Sequence, residues 1–86
     1  MSYQVKISTR AWRELKRLHG EVNERIEFAI ASLTEDPRPT GCRKMEGTTN
    51  QWRICVGEYR IIYFVDDVSK EVLINHIGHR RDVYRV

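Results

Sequence analysis

The residues of this sequence best suited to chemistry are its arginines. Arg53 and Arg60 lie either side of Gly57-Glu58, between two runs in which apolar and polar residues alternate. His79, Arg80 and Arg81 follow a third such run, and Tyr84 and Arg85 come just after them. A guanidinium offers a planar fork of donors that matches phosphate oxygens two at a time, which a lysine ammonium cannot do. Several arginines brought together repel one another unless an anion fills the gap between them. Tyr84 adds a ring for base stacking or a phenol for proton transfer, and an unperturbed phenol needs help from nearby cations to act as an acid or base. His79 carries an imidazole, a side chain suited to general acid–base chemistry, and is a rival for the proton-transfer role. Lys44 and Glu46 are further candidates at a sheet edge.

Other reactive types carry less. Cys42 and Cys55 do not form a C-x-x-C pair, and His19, His76 and His79 lack the spacing of zinc ligands, so no metal is expected. His76 alternates with Val72 and Ile74 and reads as a satisfied strand histidine. Arg10, Arg13 and Arg17 share one helix face, which suits either solvent or a polyanion.

The hairpin register decides which of these side chains share a surface. Gly at the first central position of a two-residue loop signals a type II′ turn. With Gly57-Glu58 as the loop, Val56 faces Tyr59, Cys55 faces Arg60, Ile54 faces Ile61, Arg53 faces Ile62 and Trp52 faces Tyr63. Side chains alternate between the two faces of a sheet. Trp52, Ile54, Val56, Tyr59, Ile61 and Tyr63 therefore form an apolar side, and Arg53, Cys55, Arg60, Ile62 and Phe64 the other. A slip of one residue would bury both arginines, at a prohibitive cost. If the last strand lies beside this hairpin, its end delivers His79, Arg80 and Tyr84 towards Arg53 and Arg60.

The elements that must hold this arrangement follow from periodicity. Tyr3 to Ile7 alternates as a strand. Ser8-Thr9 can cap a helix whose Ala11, Trp12, Leu15 and Leu18 recur at helical spacing, with Gly20 placed to end it. Val22, Ile26, Ala29, Ile30 and Leu33 stripe a second helix, stopped at Asp36-Pro37. Cys42 to Met45 is a candidate short strand, followed by strands over Gln51–Val56, Tyr59–Val65 and Val72–Ile77, with Gly78 closing the last. The predicted class is α+β, in the order β-α-α-β-β-β-β, with two helices on one face of a mainly antiparallel sheet. Trp12, Leu15, Ile26, Ile30, Leu33, Trp52, Ile54 and Ile61 are the expected core.

Eighty-six residues suffice for a single domain, residues 1–86. The longest apolar run is Ile61 to Val65, far short of the roughly 20 residues that span a membrane. No secretory leader is evident and two cysteines cannot staple a secreted scaffold, so a cytoplasmic protein is expected. Fifteen Lys and Arg against twelve Asp and Glu leave a net charge of +3. All of that excess lies after residue 36, and eleven of the fifteen bases are arginine. A polyanion is the ligand such a balance fits.

These segments together resemble a known family. Asp36-Pro37, Lys44-Met45-Glu46-Gly47, the stretch from Trp52 to Tyr63 with its Gly-x-Tyr-Arg, and Gly78-His79-Arg80-Arg81-Asp82-Val83-Tyr84 are similar to toxins of the RelE/ParE superfamily, and specifically to RelE-type mRNA endonucleases. The resemblance covers essentially the whole chain. It implies a toxin that enters the ribosomal A site and cuts mRNA by attack of the substrate's own 2′-OH, with no cofactor. It implies catalytic roles for Arg60, Arg80 and Tyr84, with His79 the alternative for proton transfer, and RNA contacts from Arg53, Lys44, Arg81 and Arg85. The implied partners are mRNA, the 70S ribosome with its rRNA, and a cognate antitoxin in a hetero-oligomer that alone brings operator DNA. Arg53 stands where family members have one lysine of a basic pair; Cys55 stands where they have the second, and departs from the pattern. The superfamily also contains ParE-type inhibitors of DNA gyrase, which are not enzymes, and a degenerate member would bind only its antitoxin or RNA.

Overall fold

The structure, a computed structural model, describes residues 2–47 and 50–83. Its elements are β1 (Gln4–Ile7), α1 (Thr9–Lys16), α2 (Gly20–Ser32), β2 (Arg43–Lys44), β3 (Gln51–Val56), β4 (Tyr59–Asp66), β5 (Glu71–His79) and α3 (Arg80–Val83). The strands form one sheet in the order β1-β5-β4-β3-β2. Only the β1–β5 pair is parallel; the other three are antiparallel. The mixed α+β class, the helical pair and the strand order along the chain are as the periodicity predicts.

Local chemistry sets the element ends. Ser8 holds an extended backbone and its hydroxyl accepts from the Ala11 amide, closing the start of α1. α1 stops at Lys16, a turn before the expected Gly20, and the Asn23 side-chain amide donates to the Leu15 carbonyl that this end exposes. Gly20 does take a left-handed conformation, φ +65, but at the first residue of α2. Beyond α2 the chain is pinned twice. Thr34 carbonyl accepts from the Tyr3 amide at 2.7 Å, and Pro37 carbonyl from the buried Tyr63 hydroxyl at 2.7 Å.

The hairpin pairs as its alternation requires, from Val56 opposite Tyr59 to Trp52 opposite Tyr63. Gly57 has φ +60 and Glu58 is not in the positive-φ region, the signature of a type II′ turn. Ile54, Ile61, Tyr63 and Val65 are buried with Ala11, Leu15, Ile26, Ile30 and Leu33. The helices therefore cover the apolar side of the sheet. β5 contributes Val72, Ile74 and Ile77 to the same core.

That last set breaks simple alternation, and a bulge explains it. Ile62 pairs with His76 while Tyr63 pairs with Ile74, so Asn75 has no partner on β4. The extra residue flips the parity of β5. Ile74 and Ile77 then face the core together, and His76 moves to the side that the helices leave uncovered. His76 thus does not share a face with Val72 and Ile74 as alternation suggested.

Of the expected core residues, Trp12 sits elsewhere and Trp52 enters the core only in part. Trp12 is 50% exposed, because Ala11 and Leu15 are the buried contacts of the short α1 and Trp12 is left at its flank. Trp52 is half-buried: it packs against the core cluster while the Arg38 guanidinium lies 5.0 Å above its ring. β5 also runs to His79, past the expected end at Ile77, because β4 continues to pair with it through Tyr59.

Candidate functional site

The open face of the sheet is organised in rows across the strands. One row is Cys55, Arg60 and Gly78. The next is Arg43, Arg53, Ile62 and His76. Because directly paired residues project to the same side, Arg43, Arg53 and Arg60 share this face. Gly78 beside Arg60 carries no side chain, so β5 adds no bulk in that row. Arg60 Nη1 donates to Cys55 Sγ at 2.7 Å, which holds the guanidinium across the hairpin and gives Cys55 a contact with the cation beside it.

Arg80 arrives next to this row through the backbone. Its amide donates to the Glu58 carbonyl at 2.8 Å, extending the β4–β5 ladder by one residue into the start of α3. Glu58 is two residues from Arg60, a step of about 7 Å along a strand. The Arg80 backbone is therefore one row beyond Arg60, at the rim of the same sheet. Glu58, His79, Arg80 and Arg81 line a concavity of about 580 Å³ at this end.

Two sequence-predicted residues are placed differently from the Arg60 cluster. His79 pairs with Tyr59, the two rings meeting edge to face at 5.6 Å, and Tyr59 belongs to the helix-covered side. Its Nδ1 accepts from the Arg81 amide at 3.3 Å. His79 thus borders the concavity with Arg80 from the opposite side of the sheet to Arg60. Lys44 pairs with Trp52, so it faces away from Arg53. Its neighbour Arg43 takes the position beside Arg53, a contribution that the hairpin register alone did not reveal because the pairing of β2 was needed. Arg43, Lys44, Met45, Glu46 and Arg53 nevertheless border one edge groove with Cys42, about 530 Å³ in volume. Tyr84 and Arg85 lie outside the described residues.

A further cluster of charged and polar groups lies away from this face. Arg38 Nη1 and Nη2 donate to the two oxygens of Asp67 at 3.1 and 2.7 Å, and the Tyr3 hydroxyl donates to Oδ1 at 2.7 Å. These bonds, that from Arg38 foremost, lower the Asp67 carboxyl to about 2. Burial, with Cys42 nearby, pushes the Tyr63 phenol well above its ordinary range, so it remains a neutral donor to Pro37. Both are structural ties. Among the described residues no group of His, Cys, Asp and Glu is arranged to hold a metal ion.

Comparison with known proteins agrees with this architecture. The family model described as ParE toxin of type II toxin–antitoxin system, parDE, matches residues 5–84. The chain belongs to that family: it is a toxin of a type II toxin–antitoxin system, within the RelE/ParE superfamily. Toxin RelG of Mycobacterium tuberculosis is 35% identical over 99% of both chains. Toxin RelE of the same organism is 33% identical, over 98% of this chain and 88% of that protein. Among solved structures, the archaeal RelE–RelB complex from Pyrococcus horikoshii superposes with a TM-score of 0.82 at 29% identity, covering 93% of this chain and 97% of that one.

Proposed function

We propose that this toxin is a ribosome-dependent endoribonuclease that cuts mRNA in the A site and is held inactive by a cognate antitoxin. The observation that carries the reading is the guanidinium track of Arg43, Arg53 and Arg60 on one open sheet face, with Arg80 entering at its rim. The RelE and RelG names of its relatives favour it as well.

The reaction needs no group the chain lacks. O2′ of the substrate bonds to the adjacent phosphorus, and the P–O5′ bond breaks. A base accepts the 2′-OH proton and an acid delivers one to O5′, leaving a 2′,3′-cyclic phosphate and a 5′-hydroxyl. Arg60 and Arg80 would neutralise charge on the phosphorane oxygens. Tyr84 and His79 are the candidates for proton transfer, while Arg53, Lys44, Arg81 and Arg85 would hold the RNA backbone. Cys55 supplies no cation where family members have a lysine. The antitoxin would form a hetero-oligomer with the toxin, operator DNA being bound only through that complex. Action on ribosomes would place the toxin in the cytoplasm.

Primer extension on a translated mRNA after toxin induction tests this. Breaks within codons that vanish when ribosomes are withheld are expected. The matching family model carries the ParE name, which supports a second reading, inhibition of DNA gyrase on the same fold. Intact mRNA with DNA damage would establish it in place of the nuclease. Neither effect would leave a degenerate member that binds only its antitoxin or RNA.

A further inference from the structure

The bulge at Asn75 does more than turn His76 outwards: it sets an imidazole among the arginines. Ile62 pairs with Arg53 on one side and with His76 on the other. Arg60 precedes Ile62 by two residues on the same face of β4. Paired strands lie about 5 Å apart, and a two-residue step covers about 7 Å. Arg53, Arg60 and His76 thus surround Ile62 from three sides, within reach of one bound phosphate. Ile62, 9% exposed, is the apolar floor between them. Together with His76 it lines an open groove of about 500 Å³.

The imidazole also has a carboxylate behind it. Glu14 Oε2 lies 2.6 Å from His76 Nδ1. The contact is off the line of a straight N–H bond, so the carboxylate acts as a counter-charge rather than a fixed acceptor. A negative charge there favours the ring proton on Nδ1, which leaves the lone pair on Nε2. It also sits beside the positive charge that develops when Nε2 takes a proton. His79, by contrast, pairs with Tyr59 on the helix-covered side. Of these two histidines, His76 is the one on the arginine face.

We propose that His76 is the general base of the cleavage, accepting the 2′-OH proton on Nε2, with Glu14 as its positioning partner. The inference rests on the ribonuclease reading and names the group that starts its reaction. As O2′ bonds to phosphorus, its proton passes to Nε2. The P–O5′ bond breaks, and O5′ takes a proton from the acid, Tyr84 or His79. His76 then returns its proton to water. Arg60, beside Ile62, faces the phosphorane oxygens while this happens. Arg10 Nη2 stands 3.5 Å from Nε2, beyond the roughly 2.7–3.2 Å of an ordinary hydrogen bond. Its side chain is half exposed, so that contact yields to a substrate hydroxyl.

The test measures single-turnover cleavage on ribosomes programmed with a synthetic mRNA whose scissile link carries either O5′ or a bridging sulfur in its place. Sulfur leaves without a proton, so the pair separates a base from an acid. His76→Ala, with circular dichroism verifying the fold, should lower the rate about 10²–10⁴-fold, by the same factor on both links. Glu14→Gln keeps an acceptor for the Ile77 amide but removes the charge beside His76, and should slow both links as well. Binding of a 2′-deoxy mRNA, which cannot be cut, should stay as in the wild type. A wild-type rate in His76→Ala would overturn the assignment. So would a loss confined to the oxygen link, the mark of an acid, or a matching loss of 2′-deoxy mRNA binding, the mark of a structural role. A wild-type toxin that cuts neither link would remove the ribonuclease reading, and the proposal with it.

Discussion

At the scale of single residues, function turns on guanidinium groups held before substrate arrives. Arg60 is fixed by its strand and by Cys55 Sγ, and Arg80 by the backbone bond of its amide to Glu58. Removing one preorganised donor to a charge-bearing transition state costs about 10²–10³ in rate. Arg60→Ala and Arg80→Ala should each lower mRNA cleavage by that factor, read by primer extension, while thermal unfolding and antitoxin capture stay near wild type. Neither arginine belongs to the core cluster, which is why stability should hold. Cleavage that survives both substitutions would place the active site elsewhere. Tyr84→Phe separates stacking from proton transfer. If the Phe variant still cuts, Tyr84 only stacks, and the acid–base role passes to His79.

At the scale of elements, the end of β5 is clamped from both edges. β4 pairs with it on one side up to His79. On the other side β1 has run out after Ile7, opposite Ile74, and Glu14 of α1 takes over. Its Oε1 accepts from the Ile77 amide at 2.8 Å while Oε2 meets His76. One carboxylate thus replaces a missing strand, three residues before Arg80. Glu14→Ala should speed hydrogen exchange at the Ile77 amide and lower the cleavage rate. Glu14→Gln, which keeps the acceptor oxygen, should restore the protection. Unchanged exchange in the Ala variant would show that the carboxylate has no positioning role.

The Arg38–Asp67–Tyr3 cluster ties other elements together, joining the loop after α2 to the β4–β5 turn and to the residue before β1. Asp67 is held at about 2 against an ordinary 3.8. A depressed carboxyl stabilises the fold fully above the ordinary value, and that contribution fades as pH falls towards the folded one. The melting temperature of the wild type should therefore fall between pH 4 and pH 2 more steeply than that of Asp67→Asn, which should already be lower at neutral pH. Parallel melting curves across that range would contradict the assignment.

At the scale of the whole molecule, one small core carries the domain. Ile26 of α2 and Leu33 at its C-cap are fully buried with Ile61, Tyr63, Val65, Val72 and Ile74 of the sheet. Leu33→Ala should cost about 2–5 kcal/mol, a large share of the roughly 5–15 kcal/mol that native domains possess. Urea titration should show a lower midpoint with little change in slope. A loss below 1 kcal/mol would mean that α2 is not packed as described.

The same scale separates what the chain states locally from what it states only when folded. Period-two and helical stripes identify the strands, the two N-terminal helices and the α+β class, because burial of one face leaves a mark on every second or every third to fourth residue. The Gly57-Glu58 turn and its parity are enough to put Arg53 and Arg60 on one face, since a two-residue hairpin permits one register. Trp12 was misplaced because a short helix buries only part of its apolar stripe. His76 and His79 stand on other faces than alternation predicts, and Lys44 turns away from Arg53, for a different reason: the Asn75 bulge and the pairing of β2 are long-range choices made between strands. No residue near Asn75 announces that β5 must carry one residue more than β4. The composition and hairpin of this protein determined that it would be an arginine-faced α+β domain. Tertiary structure alone decided which side chains stand beside those arginines, because each strand's register is set by the neighbour it pairs with.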